Sequence, residues 1–258
     1  MGIENRKLTR RPGGSQGNAV NEEARQPNAD AAELERFAAM AAQWWDPNGP
    51  NRPLHAMNPV RVGYIVERAG GLAGKHCLDV GCGGGLLSES LASEGADSVL
   101  GLDASAEMLE VARMHAEAGG LDNLEYRLGA AEELEGEFDV VCCLEVLEHV
   151  PRPGELLAEC ARLTRPGGHV FVSTLNRTLA AFALGIVSAE FVLGLLPRGT
   201  HRYEKFIRPS ELEAWARAAG LSARDFTGLQ YNPLHGSFRR SGNIDVNYIA
   251  HFTKAAGA

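Results

Sequence analysis

Between residues 76 and 175, short apolar runs alternate with stretches of helical periodicity, and that alternation leaves the chain few folds to choose from. Residues 76–80, 98–102, 124–128, 138–144 and 169–175 predict strands, with helices over 86–93, 106–118 and 153–163 between them. The clearest of these strands, 138–144, is apolar almost throughout instead of at every second position. Such strands are buried on both faces, which makes the sheet parallel and covers it with helices on either side. Beyond residue 176 a helix over 209–220 and strands over 221–229 and 244–252 complete the pattern. The expected fold is α/β and Rossmann-like, with a mostly parallel seven-stranded sheet.

The ends of the chain read differently. Residues 1–29 are rich in Gly, Asn, Gln, Glu and Arg and cannot bury enough surface to offset their ordering entropy, which predicts a disordered tail. Residues 30–258 then form a single domain, a length that suits one α/β core with an insertion. Leu34, Phe37, Ala38 and Ala41 recur at helical spacing up to Trp44-Trp45-Asp46-Pro47. Asn58-Pro59 reads as a cap with proline at the first helical position, opening a helix that runs to about Arg68. Trp44, Trp45 and His55 read as core residues of these helices, with cover over the site as the second possibility. The formal net charge of -8 argues against nucleic acid as a partner. The five cysteines are odd in number and include no Cys-x-x-Cys pair. With no apolar leader behind the basic first residues, they are expected to be reduced thiols in a cytoplasmic protein.

Where the first strand meets the first helix of the alternating region, the chain reads Leu78-Asp79-Val80-Gly81-Cys82-Gly83-Gly84-Gly85. Glycine there permits a tight turn and a close approach to the main chain. A dinucleotide-binding loop would space its glycines G-x-G-x-x-G, but Leu86 stands where the third should fall, which disfavours a dinucleotide oxidoreductase. The spacing G-x-G-x-G, with Asp79 ahead of it, resembles class I methyltransferases, whose loop wraps the amino-acid part of S-adenosylmethionine; Asp79, Gly81, Gly83 and Gly85 are the cofactor-binding candidates it implies. About 20 residues on, Asp103 ends the next strand, placed to accept hydrogen bonds from ribose hydroxyls.

Several further segments resemble one family, the ubiquinone biosynthesis O-methyltransferases: Trp44-Trp45-Asp46-Pro47, Pro53-Leu54-His55, Leu144 to Val150, Ser173-Thr174-Leu175-Asn176-Arg177, Pro197 to His201, Tyr231-Asn232-Pro233 and Asp245 to Tyr248. The resemblance implies a class I methyltransferase fold and methyl transfer to a phenolic hydroxyl of polyprenyl catechol and demethylubiquinol intermediates. It places Arg61, Gly81, Asp103 and Leu144 against the cofactor. Methionine often stands at position 144 in the family, and leucine supplies the same apolar wall.

The candidate catalytic residues are Glu145, Glu148 and His149, just past a strand end. If the chain turns helically there, all three share one face. Two roles fit: they hold a Mg²⁺ that binds the catechol oxygens and lowers the phenol pKa, or His149 acts as general base oriented by a carboxylate. The resemblance favours metal. A third reading leaves Glu148 and His149 merely starting the next helix.

After the fifth strand, residues 178–196 are apolar, interrupted by Ser188 and Glu190. Arg177, Arg198, His201, Arg202, Lys205 and Arg208 flank this stretch. An insertion over about 177–208 is therefore expected to act as a lid over a greasy substrate, as a contact with anionic membrane lipid, or both; an ordinary buried helix pair is the plainer alternative. The expected location is cytoplasmic, peripheral at the inner face of the membrane, in reach of other quinone-synthesis enzymes. Rival functions are another small-molecule methyltransferase and a non-catalytic S-adenosylmethionine-binding scaffold.

Overall fold

A computed structural model describes residues 28–182 and 203–256. Five parallel strands form one half of its sheet: β1 (His76–Val80), β2 (Ser98–Asp103), β3 (Leu124–Leu128), β4 (Phe138–Leu144) and β5 (Thr164–Leu175). Three more, β6 (Leu221–Asn232), β7 (Ser237–Ser241) and β8 (Asn247–Lys254), add an antiparallel half, in the order β3-β2-β1-β4-β5-β8-β6-β7. The sheet so described has eight strands where seven were expected. The additional one is β7, which pairs with β6 at the sheet edge and reads Ser-Phe-Arg-Arg-Ser. An exposed edge strand needs no apolar run, and none marks it in the sequence.

Successive residues of the central strands face opposite sides, and each side has its own core. Leu78, Val141, Val172 and Phe252 pack on one face, with α5 (Pro153–Arg162) and α7 (Pro209–Ala218). Cys77, Val140, Cys142 and Phe171 pack on the other, with α2 (Arg52–Ala69) and α3 (Leu86–Ser93). All five cysteines are buried and unbridged. Among the described residues the remaining α-helices are α1 (Ala31–Met40), α4 (Ala106–Gly119) and the single turn α6 (Leu179–Ala181).

The second N-terminal helix begins earlier than expected. Pro53 occupies its first turn and Pro59 lies inside it. An internal proline costs about 3 kcal/mol, but Met57, Val62, Tyr64 and Ile65 on the same helix are buried, and each contributes roughly 1.5–3 kcal/mol. Packing outweighs the proline. Asn58 is accordingly no cap: its Nδ2 donates to Leu86 O and to Ser90 Oγ, tying α2 to α3.

Of the tail expected over residues 1–29, residues 1–27 lie outside the described residues. Asn28 is docked by a reciprocal pair of hydrogen bonds to the backbone of Arg152. Most of the expected insertion, 183–202, also lies outside them. Its two ends are joined: Arg177 donates to Phe206 O at 2.7 Å and pairs with Glu211. Lys205 pairs with Asp30 and Glu33. Two members of the basic cluster are thus engaged within the protein. Among the described residues no helix is long and apolar enough to cross a membrane.

Two histidines meet on the α2 side of the sheet. His251 on β8 lies 3.0 Å from His169 Nδ1 through its Nε2 and stacks on Phe171. Burial, aided by the neighbouring His169, Arg68 and Arg224 and opposed by Asp225, lowers its pKa to about 4. The unfolded imidazole titrates near 6.5, so the unfolded chain takes the proton first. The stability this site contributes is present above about pH 6.5 and is lost as the pH falls towards 4, by roughly 2 kcal/mol. Denaturant midpoints at pH 7.5 and 4.5 should differ less for His251→Phe than for the unchanged chain. An equal difference in both would show that His251 carries none of the pH dependence.

Candidate active site

One cavity of about 740 Å³ opens at the carboxyl ends of β1, β2 and β4. It lies where the strand order reverses between β1 and β4, the place at which open α/β sheets bind ligands. Of the residues picked out in sequence, Arg61, Asp79, Gly81, Gly83, Asp103, Leu144, Glu145 and His149 line it. Gly85 and Glu148 stand behind it. Gly85 is the residue before α3 and has φ 91°, so its service is to the turn.

The glycine loop is packed by the protein's own side chains as well as open to the cavity. A Cβ on Gly84 would fall 2.3 Å from Trp44 Cδ1, and one on Gly81 would fall 2.4 Å from Val146 Cγ2. Trp44 therefore lies against the loop, and Trp45 donates from Nε1 to Gly84 O at 3.0 Å while stacking on His115. Trp44 is both core and cavity wall.

Asp103 accepts from Gly83 N at 2.8 Å and from Ser105 N at 2.9 Å. Each of its carboxylate oxygens keeps a second lone pair for a ligand hydroxyl. Asp79 is buried and accepts from Ser88 Oγ at 2.6 Å; burial pushes its carboxyl up to about 7 against that hydrogen bond. Arg61 Nε and Trp44 Nε1, buried donors on two residues that line the cavity, have no partner among the described residues. Donors left like that in an interior point to a ligand that completes them.

The three candidate catalysts face different ways. Glu145 has φ 57°, a left-handed conformation rare for a residue with a side chain. It is held there by its N–H to Ser173 O and by its Oε1, which accepts from Arg61 at 2.6 Å and from Ser173 Oγ at 2.7 Å. Glu148 is buried; one oxygen accepts from Thr174 Oγ1 and the other, Oε1, has no partner among the described residues. Burial, with the charge of Glu145 nearby, pushes its carboxyl up to about 8. His149 places Nδ1 3.1 Å from Glu33 Oε2, with the edge of Phe37 against its ring. The segment turns as a short 3-10 helix, Leu147–His149, so spacing alone does not bring the three together. Among the described residues no group of three carboxylate, imidazole or thiol side chains is close enough to hold a metal ion.

Sequence reasoning did not find Glu33, and it named Ser173 only within a segment that carries the resemblance, without a role. Glu33 lies 116 residues from His149 and carries the charge of an ordinary amphipathic helix; its burial at 6% exposure is what marks it.

The description "Methyltransferase domain" belongs to the family model that matches residues 78–172. The ubiquinone biosynthesis O-methyltransferase of Acinetobacter baylyi is 52% identical over 233 residues, covering 89% of this chain and 98% of that protein. The protein of that name from Xylella fastidiosa is 51% identical, over 86% and 91% respectively. Among solved structures, magnesium protoporphyrin IX methyltransferase from Synechocystis with bound SAH superposes with a TM-score of 0.63 at 21% identity, covering 87% of this chain and 94% of that one. At that identity the structural likeness speaks for the fold alone.

Proposed function

The chain belongs to the ubiquinone biosynthesis O-methyltransferases, enzymes that use S-adenosylmethionine, and from that premise we propose that its acceptors are polyprenyl catechol and demethylubiquinol rings. The observation that carries this reading is the continuity of the cavity: the glycine loop and Asp103 line one end, and Glu145 and His149 line the next stretch of wall.

S-Adenosylmethionine supplies an electrophilic methyl group on a sulfonium. The protein's part is to hold donor and acceptor in line, which accounts for much of the acceleration in such a displacement. Arg61 and Trp44 offer buried donors to the cofactor's carboxylate and hydroxyls, Asp103 accepts from its ribose, and Leu144 forms an apolar wall for its adenine. A phenol titrates near 10, so its proton must be removed as the oxygen attacks carbon. His149 takes that proton at Nε2, the ring nitrogen opposite its contact with Glu33, which fixes the ring and offsets the positive charge it acquires. The new bond joins the phenolic oxygen to the methyl carbon, the bond from sulfur to that carbon breaks, and the sulfur keeps the electron pair.

The residue types suit Mg²⁺, but their arrangement does not: among the described residues no three such side chains stand close enough to hold an ion. Glu148 Oε1 is a buried carboxylate oxygen without a donor, and a histidine steadied by a carboxylate, as His149 is by Glu33, is common among metal ligands. Glu145, Glu148 and His149 as they stand are not gathered into a metal site, and proton removal is assigned to His149.

Methyl transfer from labelled S-adenosylmethionine to a short-tail polyprenyl catechol, with and without EDTA, tests both parts. We expect transfer that is indifferent to EDTA, which leaves the proton to His149; loss with EDTA and recovery with Mg²⁺ would overturn that role and require a metal. Absence of transfer in either condition, with cofactor bound, would reject the acceptor. Repeating the assay on anionic and on neutral vesicles tests the peripheral lipid contact, which predicts a faster reaction on the anionic ones. The exposed Leu179 and Phe182, next to residues 183–202, support that contact.

A further inference from the structure

The far end of the cavity contains a polar group that neither cofactor binding nor proton removal uses. Asn247 opens β8 opposite Leu175 on β5 and lines the cavity beside Leu229, Tyr231, Phe238 and Val246. It is 7% exposed, and its Oδ1 has no hydrogen-bond partner among the described residues. A buried amide oxygen without a donor costs stability and is uncommon in folded proteins.

The segment around it is held firmly. Asn176 donates from its backbone to Val246 O at 2.8 Å and from its side chain to Ile244 O at 2.9 Å. Asn243 Oδ1 accepts from Asp245 N at 2.7 Å, and Thr178 Oγ1 donates to Asp245 O. An acceptor next to a backbone segment held by its neighbours, walled by apolar groups and lacking any donor in the described residues, suits a hydroxyl brought by a ligand. The cofactor's partners lie at the other end, at the glycine loop and Asp103, so the ligand at this end is the ring that receives the methyl group.

We propose that Asn247 Oδ1 accepts a hydrogen bond from the second ring hydroxyl, the one that is not being methylated, and thereby selects a dihydroxy ring over one that lacks this hydroxyl. An oxidised quinone presents a carbonyl oxygen there, acceptor against acceptor, and is disfavoured for the same reason. The assignment rests on the O-methyltransferase reading above.

The test compares two acceptors with the same short tail, one with both hydroxyls and one with the second replaced by hydrogen. Asn247→Leu should lower kcat/KM for the dihydroxy ring by about tenfold and leave the monohydroxy ring unchanged. Asn247→Asp keeps an acceptor and should retain most of the preference. Because an unsatisfied buried amide is removed, Asn247→Leu should melt at the same temperature as the unchanged chain or above it. Equal losses on both rings, or a lowered melting temperature, would make Asn247 a structural residue and overturn the assignment. Preference retained in full by Asn247→Leu would overturn it too. If the unchanged chain methylates neither ring, the O-methyltransferase reading fails and this assignment fails with it.

Discussion

His149→Gln should lower kcat for methyl transfer by roughly 10²–10⁴-fold while the dissociation constant for S-adenosylmethionine stays within about twofold. The imidazole lines the cavity apart from the glycine loop proposed to bind the cofactor, so its loss should remove proton transfer and leave cofactor contacts in place. Glu33→Gln should fall between this variant and the unchanged chain, because Glu33 acts through its contact with His149. A loss of about 10–100-fold, in kcat and not in KM, is expected, with partial recovery in Glu33→Asp. Stopped-flow or radiolabel turnover beside calorimetric binding separates the two quantities. Full activity in His149→Gln would remove the residue from both the base and the metal role, since each requires it.

The second large effect concerns stability. Gly228→Ala should cost roughly 3 kcal/mol or more, a melting temperature lower by about 6–12 °C for a domain of this size. A Cβ at Gly228 would fall 1.7 Å from Asn243 O and 2.7 Å from Asn243 C. These are backbone atoms that no rotamer change can move aside. Gly228 pairs with Ser241 on β7 and with Tyr248 on β8, so the strand cannot shift without breaking two ladders. The 243–247 segment would have to yield, and Asn176 holds it from the other side. A cost below about 1 kcal/mol in thermal or denaturant unfolding would show that the loop moves freely, and it would weaken the case for a rigid Asn247.

How far the sequence predicted this molecule depended on how local the deciding interactions were. The strands over 76–80, 124–128 and 138–144 match their expected bounds, because an apolar run between helical stretches is a property of neighbouring residues. The glycine loop and Asp103 were legible because spacing along one strand-turn-helix unit fixes where they fall. Pro59 misled because a proline signals a helix start locally, whereas the burial of Tyr64 and Ile65 that outweighs it is tertiary. β7 escaped because Arg239 and Arg240 carry no core signal. The site divided along the same line. Glu145 and His149 stand just past β4, while their partners Arg61, Ser173 and Glu33 come from three distant segments that only the folded chain assembles.

That assembly has a bearing on inheritance. The glycine loop, Asp103 and His149 lie within the unit from β1 to β5, whereas Glu33, Trp44, Arg61 and Asn247 are contributed by flanks on either side of it. Mutations in the flanks can remodel the acceptor end and the grip on His149 while leaving the loop and its strands intact. Descendants of one ancestral core can therefore diverge in what they methylate by exchanging or eroding these borders, with no cost to the central architecture.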